Sequence, residues 1–256
     1  AMVEELKESV ARWADYLLDY DFPTGLYSDT KAEETCWTAG PLVGAQALFP
    51  ADPRCEAWQE KAHRFFLNSY NREEDLWEDK IVEGFPVRER VTTANVFTDF
   101  TTENHAAFHP TYQTCINNYA VPYILYKKII GQVPDTLTWN WRGLHSVMAR
   151  LFAADGRIIY PAGNDYSPYS HAEQAHYLAI VTDALKDPLG LWALKEALAN
   201  VRELQKGTKG QMVGDYLNGD QHLYWEFHFA SPTFHPLFQS NIVENSTLTC
   251  QEERHG

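Results

Sequence analysis

Two carboxylates, an Asn, two His and a Tyr fall within fourteen residues, Asp99-Phe100-Thr101-Thr102-Glu103-Asn104-His105-Ala106-Ala107-Phe108-His109-Pro110-Thr111-Tyr112. An aromatic run from Cys115 to Ile130 follows. A solvated loop has little use for Phe100, Phe108 and Tyr112. A buried helix does not carry Asp99, Glu103, Asn104, His105 and His109 unless they have partners. The mixture describes the wall of a polar cavity, and we read it as the start of an inner helix facing a site. The plainer alternative is that His109 and Tyr112 are buried polar residues bonded to backbone.

Three chemistries fit these residue types. Asp99 and Glu103, with Asp165 further on, supply the two carboxyls that glycosidic-bond hydrolysis needs. Asp165 sits in Gly163-Asn164-Asp165-Tyr166, which is also the composition of an ordinary turn before a helix. His105 and His109 have the i, i+4 spacing of metal ligands, with Glu103 nearby. Pro110 argues against a continuous helix through both, and there is no H-E-x-x-H, so no metal is expected. The third chemistry, proton transfer by Tyr112 and His109, needs the two side chains on one face, as three residues of separation allow on a helix.

The rest of the chain must position them. Its 256 residues suffice for one large domain with a sizeable core, and 45% are hydrophobic. Aromatics reach 14%, with 8 Trp and 14 Tyr, which suits either a ring-lined cleft or a ring-filled core. The net charge of −14 repels nucleic acid and anionic membranes and argues against a long polyanionic substrate. Of the four Cys (Cys36, Cys55, Cys115, Cys250), no two form a C-x-x-C pair. Reduced thiols are the simpler reading for a chain of this size. The N-terminal residues lack a basic and apolar leader, and no run approaches a membrane span. The expectation is a cytoplasmic protein with no cofactor.

Periodicity predicts helices over Val3 to Tyr20, Glu33 to Leu48 with an interruption at Gly40-Pro41, and Asp52-Pro53 to about Tyr70. It predicts further helices over Tyr112 to Ile130, Thr138 to Ala153, Ser167 to Leu185 and Leu189 to Gln205. A last one is expected near Pro236 to Ile242. Pro110 belongs in a first turn, so the fourth helix is expected to begin near Phe108 or His109. Asn71 to Val96 reads as an excursion loop with a short hairpin near Lys80-Ile81-Val82-Glu83. The fold class is therefore all-α, as stacked α-hairpins with long loops on one rim. A single domain over residues 1–256, with a frayed polar tail at 244–256, is expected.

Glu33-Glu34-Thr35-Cys36-Trp37-Thr38-Ala39, the Asn104-His105 and His109/Tyr112 cluster, and Ile159-Tyr160-Pro161-Ala162-Gly163-Asn164-Asp165 together resemble the α/α-toroid domain of heparinase-type and alginate-type polysaccharide lyases. The resemblance spans about Glu33 to Leu198. The chain departs from that pattern in having fewer helices than a six-hairpin toroid and no following β-sandwich. Linalool dehydratase–isomerases share the architecture, so fold alone does not select a substrate.

The resemblance implies an incomplete or small (α/α)n barrel and β-elimination from a carboxylate-type substrate, small or oligomeric. Tyr112 would serve as base, acid or both, with His109 on its face. Asn104 and His105 would hydrogen-bond the substrate carboxylate and the developing enolate. Glu103, Asp99, Asp165, Tyr166 and Trp37 would contact substrate. A neutral-sugar hydrolase using paired carboxylates is the alternative. A third reading is a subunit of a biosynthetic hetero-complex, whose site and toroid a partner chain completes. The partners expected are a small-molecule or oligosaccharide substrate and, on the third reading, that subunit.

Overall fold

The computed structural model describes residues 2–162 and 170–207. It is mostly helical, with a few two-residue strands. The chain divides, within its sixth α-helix, into two compact units, Ala1–Leu144 and His145–Gly256.

The first unit is built on three helices: α1 (Met2–Leu18), α2 (Ala32–Leu48) and α3 (Cys55–Ser69). α2 packs against both neighbours. It is apolar nearly all round, as a helix enclosed on several sides must be, and Ala32, Cys36, Ala39, Leu42, Val43 and Ala45 are all buried. α1 turns Ala11, Ala14 and Leu17 inward, while α3 contributes Trp58, Phe65, Phe66 and Leu67. The expected break at Gly40-Pro41 does not occur, and α2 runs through Pro41. The cost is one missing N–H, and the space beside Gly40 is open.

The excursion over residues 71–96 is packed down rather than free. Val82, Val87 and Val91 form a buried cluster with Leu67 of α3. The Asn68 amide donates to the carbonyl of Arg90 at 2.8 Å and accepts from the Thr92 N–H at 2.8 Å. The expected hairpin is present: β1 (Ile81–Val82) pairs antiparallel with β2 (Phe85–Pro86). Glu83 and Gly84 turn it with φ of 47° and 81°, the pair of positive angles that a two-residue type I′ turn requires.

A second hairpin was not expected. β3 (Glu103–Asn104) pairs with β4 (Ala107–Phe108), and His105-Ala106 form the turn with φ of 52° and 60°. The helical run then starts at Pro110, with α4 (Pro110–Gln113). It continues as a 3-10 segment over Thr114–Tyr119, α5 (Ala120–Leu125) and a π turn over Tyr126–Ile130. It stops at Gly131, whose φ is 121°. The inner-helix reading of residues 99–112 is thus corrected. A residue before proline is pushed out of the helical region, and His109 is extended at φ −127°, ψ 98°.

α6 (Trp141–Ala149) follows. The second unit contains the antiparallel bridge Phe152↔Ile158 and the packed pair α7 (Ser170–Leu185) and α8 (Pro188–Gly207). Asp187 precedes Pro188 and accepts the N–H of Gly190 at 2.9 Å, a helix N-cap with Pro at the first helical position. The same carboxylate meets His145 Nε2 at 2.6 Å, and His145 Nδ1 meets the Tyr177 hydroxyl at 2.6 Å. A proton on Nε2 satisfies the carboxylate and leaves Nδ1 free to accept from the phenol. The His145 bond also holds the Asp187 carboxyl below its usual range. The helix expected near Pro236 to Ile242 and the tail at 244–256 lie outside the described residues.

Candidate functional site

The β3–β4 hairpin is stapled to the loop between α1 and α2. The Thr30 N–H donates to the Glu103 carbonyl at 2.7 Å, and the Ala106 N–H to the Ser28 carbonyl at 2.9 Å. The Ser28 N–H donates to the Glu103 carboxylate at 2.8 Å. That loop is held in turn by Asn95, a fully buried residue whose amide accepts the Gly25 N–H at 2.9 Å and donates to the Asn68 carbonyl at 2.7 Å. Ser28, Phe100, His105 and Ala106 all have positive φ without being glycine. Backbone strain of this kind persists only where surrounding contacts over-determine it, and it concentrates at functional sites.

The hairpin brings three of the expected residues into one group. Ring centroids of His105 and His109 are 5.9 Å apart, those of His105 and Tyr112 5.8 Å, and those of His109 and Tyr112 5.1 Å. All three contacts are edge-to-face, a favoured geometry for aromatic rings. His105 is exposed on the turn, while His109 and Tyr112 are buried beneath it. The group therefore reaches from solvent to the interior with two imidazoles and a phenol, side chains suited to exchanging protons with a reactant.

Asn104 is buried beside them. Its Nδ2 donates to Asp29 Oδ1 at 3.0 Å. Asp29 Oδ2 lies 2.6 Å from Lys31 Nζ, which also reaches Glu34 Oε1 at 2.7 Å. These hydrogen bonds, that from Asp29 first, raise the Lys31 pKa, so the ammonium is charged at neutral pH. Asp29 and Lys31 were not singled out from the sequence, and Glu34 entered only as part of the stretch that carries the resemblance. Their one advance signal was the i, i+3 spacing of Lys31 and Glu34, which is common on any helix surface.

The remaining expected residues are placed differently. Asp99 is exposed, and its Oδ1 accepts the N–H and hydroxyl of Thr101 at 2.9 and 2.6 Å, which lowers its pKa. That is a turn-forming role. Glu103 uses its carboxylate on Ser28, as above. Trp37 projects from α2, exposed, one turn beyond Glu34. Asp165 and Tyr166 lie outside the described residues. Among the described residues no three His, Cys, Asp or Glu side chains converge as a metal-ligating set. An open groove of about 640 Å³ at the end of α1 is lined by Tyr16, Asp19, Tyr20, Asp21, Phe22 and Pro23, and by none of the candidate residues.

Comparison with protein-family models, curated proteins and solved structures gives no match for this chain.

Proposed function

We propose that the chain is a lyase that eliminates a β leaving group from a small or oligomeric carboxylate-type substrate. The observation that carries this reading is the mutual contact of His105, His109 and Tyr112, graded from exposed to buried. In the step we envisage, the His109 imidazole takes the proton from the carbon next to the carboxylate. The electron pair of that C–H bond becomes the new C=C bond. The bond from the β carbon to its oxygen breaks, and the Tyr112 hydroxyl gives that oxygen a proton. His105, at the mouth, pairs with the substrate carboxylate as negative charge grows on it. The paired-carboxylate alternative has less support, because Asp99 and Glu103 are both engaged by backbone N–H groups.

We further propose an α/α-hairpin toroid, incomplete or small, as the architecture of the whole chain. The packed pairs α1–α2, α2–α3 and α7–α8 are hairpins of the required kind. A completing subunit is also favoured by one feature: Met2, Leu6, Trp13 and Tyr16 form an exposed stripe at helical spacing along α1, and exposed Tyr20 follows just beyond its end. The test of the chemistry is an ultraviolet assay for a new unsaturated carboxylate, run on uronate oligosaccharides and small β-substituted acids with and without chelator. A rising signal that survives chelation supports the reading. No signal on any substrate, in a chain shown to be folded, rejects it.

A further inference from the structure

Asn104 has one determined orientation. Asp29 is ion-paired to Lys31 and can only accept, so the nitrogen of the Asn104 amide must face it. The amide oxygen then points the other way. It is shielded from solvent and meets no donor among the described residues. Glu34 repeats the pattern at the far end of the same network. Its Oε1 receives Lys31, while its Oε2 is shielded and meets no donor among the described residues. Asn104 is framed through its amide nitrogen and Glu34 through one carboxylate oxygen, and each leaves one oxygen acceptor idle among the described residues.

An idle buried acceptor destabilises a fold, because it has given up its water without gaining a donor. Two on a single four-residue network are a cost that packing alone does not explain, because Glu34 sits at the surface end of α2 and could have turned its carboxylate to water. We propose that Glu34 and Asn104, oriented by Lys31 and Asp29, form a recognition site for hydroxyl groups of a polyhydroxylated substrate. Both atoms accept, so the matching ligand group must donate. Carboxylates and ether oxygens have nothing to donate. The local charge agrees: Asp29, Glu34 and Glu103 outnumber Lys31 and turn a substrate carboxylate towards His105 instead. The assignment rests on the elimination reading only for the location of the reactive carbon. It reverses the role that the resemblance implies for Asn104, which becomes an acceptor from substrate rather than a donor to its carboxylate.

The test is equilibrium binding to the full chain by calorimetry, using methyl glycosides of hexoses and hexuronic acids and their monodeoxy analogues. Propylammonium chloride is the competing arm. Removing the matched hydroxyl is expected to weaken binding roughly 10- to 100-fold. In Asn104→Ala or Glu34→Gln, parent and deoxy compound should bind alike. Circular dichroism checks that each variant folds, and the Glu34 change, at the surface, serves if Asn104→Ala does not. Three results overturn the proposal: equal binding of parent and deoxy compounds, binding of propylammonium in their place, or no binding of any polyol. The two readings fail separately. Hydroxyl-dependent binding with no unsaturated product removes the elimination and keeps the recognition site. Product formation indifferent to hydroxyl removal does the reverse.

Discussion

Asn95 should matter more to this protein than its place in an irregular segment implies. It is fully buried and accepts the Gly25 N–H while donating to the carbonyls of Asn68 at 2.7 Å and Pro23 at 3.4 Å. Its own carbonyl takes the Thr30 hydroxyl at 2.6 Å. Asn95→Ala deletes the side-chain bonds and strands the Gly25 N–H and the Asn68 carbonyl. Each stranded group costs about 1–3 kcal/mol, and the small void adds about 1 kcal/mol. The sum, about 3–7 kcal/mol, is a large part of the 5–15 kcal/mol typical of a folded domain. A side chain at Gly25 would collide with the Asp29 carbonyl, so two stretches of the same loop run close together here. Equilibrium urea unfolding followed by circular dichroism measures the loss, with the slope checked for a change in denatured state. The same variant should lose binding at the candidate site, because Asp29 and Lys31 ride on this loop. A loss below about 1 kcal/mol refutes the claim that Asn95 anchors the site.

Other outcomes follow from burial and contact. Burial, with a smaller contribution from Arg90, pushes His63 down to about 4 from an ordinary 6.5. The unfolded chain therefore takes up this proton at higher pH than the folded one. Stability should fall by roughly 3 kcal/mol as pH drops from 6.5 to 4 and then level off for this group, and His63→Leu should flatten that slope in urea titrations across pH. A methyl at Gly143 would lie 2.3 Å from the Phe100 ring. Gly143→Ala should thus destabilise by about 1–3 kcal/mol, and Phe100→Ala in the same chain should relieve the clash. Burial pushes the Cys36 thiol up to about 12, so peptide mapping after iodoacetamide at pH 8 should find it unmodified until denaturant is added.

The helices were legible because each carries its own signal. The expected Val3 to Tyr20 and Glu33 to Leu48 match α1 and α2 within two residues. The stop at Gly131 follows from glycine's access to positive φ. The β3–β4 hairpin was not legible, because its turn is His105-Ala106 rather than the Asn-Gly or Asp-Gly pairs that announce a type I′ turn. What stabilises those two positive angles is the staple to Ser28 and Thr30, about 75 residues away in the chain. The same long-range contact hid Asp29 and Lys31. Of the residues that the density of polar and aromatic side chains singled out, His105, His109 and Tyr112 do meet ring to ring. Asp99 is engaged locally, because an Asp two residues before a Thr is a good turn former.

The most direct measurement is the rate of unsaturated-carboxylate formation by the wild-type chain, Tyr112→Phe and His109→Ala, each shown to be folded by circular dichroism. General acid–base assistance is worth about 10²–10⁴-fold. Both variants should fall by at least that lower factor while the spectra stay superimposable. Wild-type rates in both would show that the three-ring group of His105, His109 and Tyr112 is not where the chemistry happens.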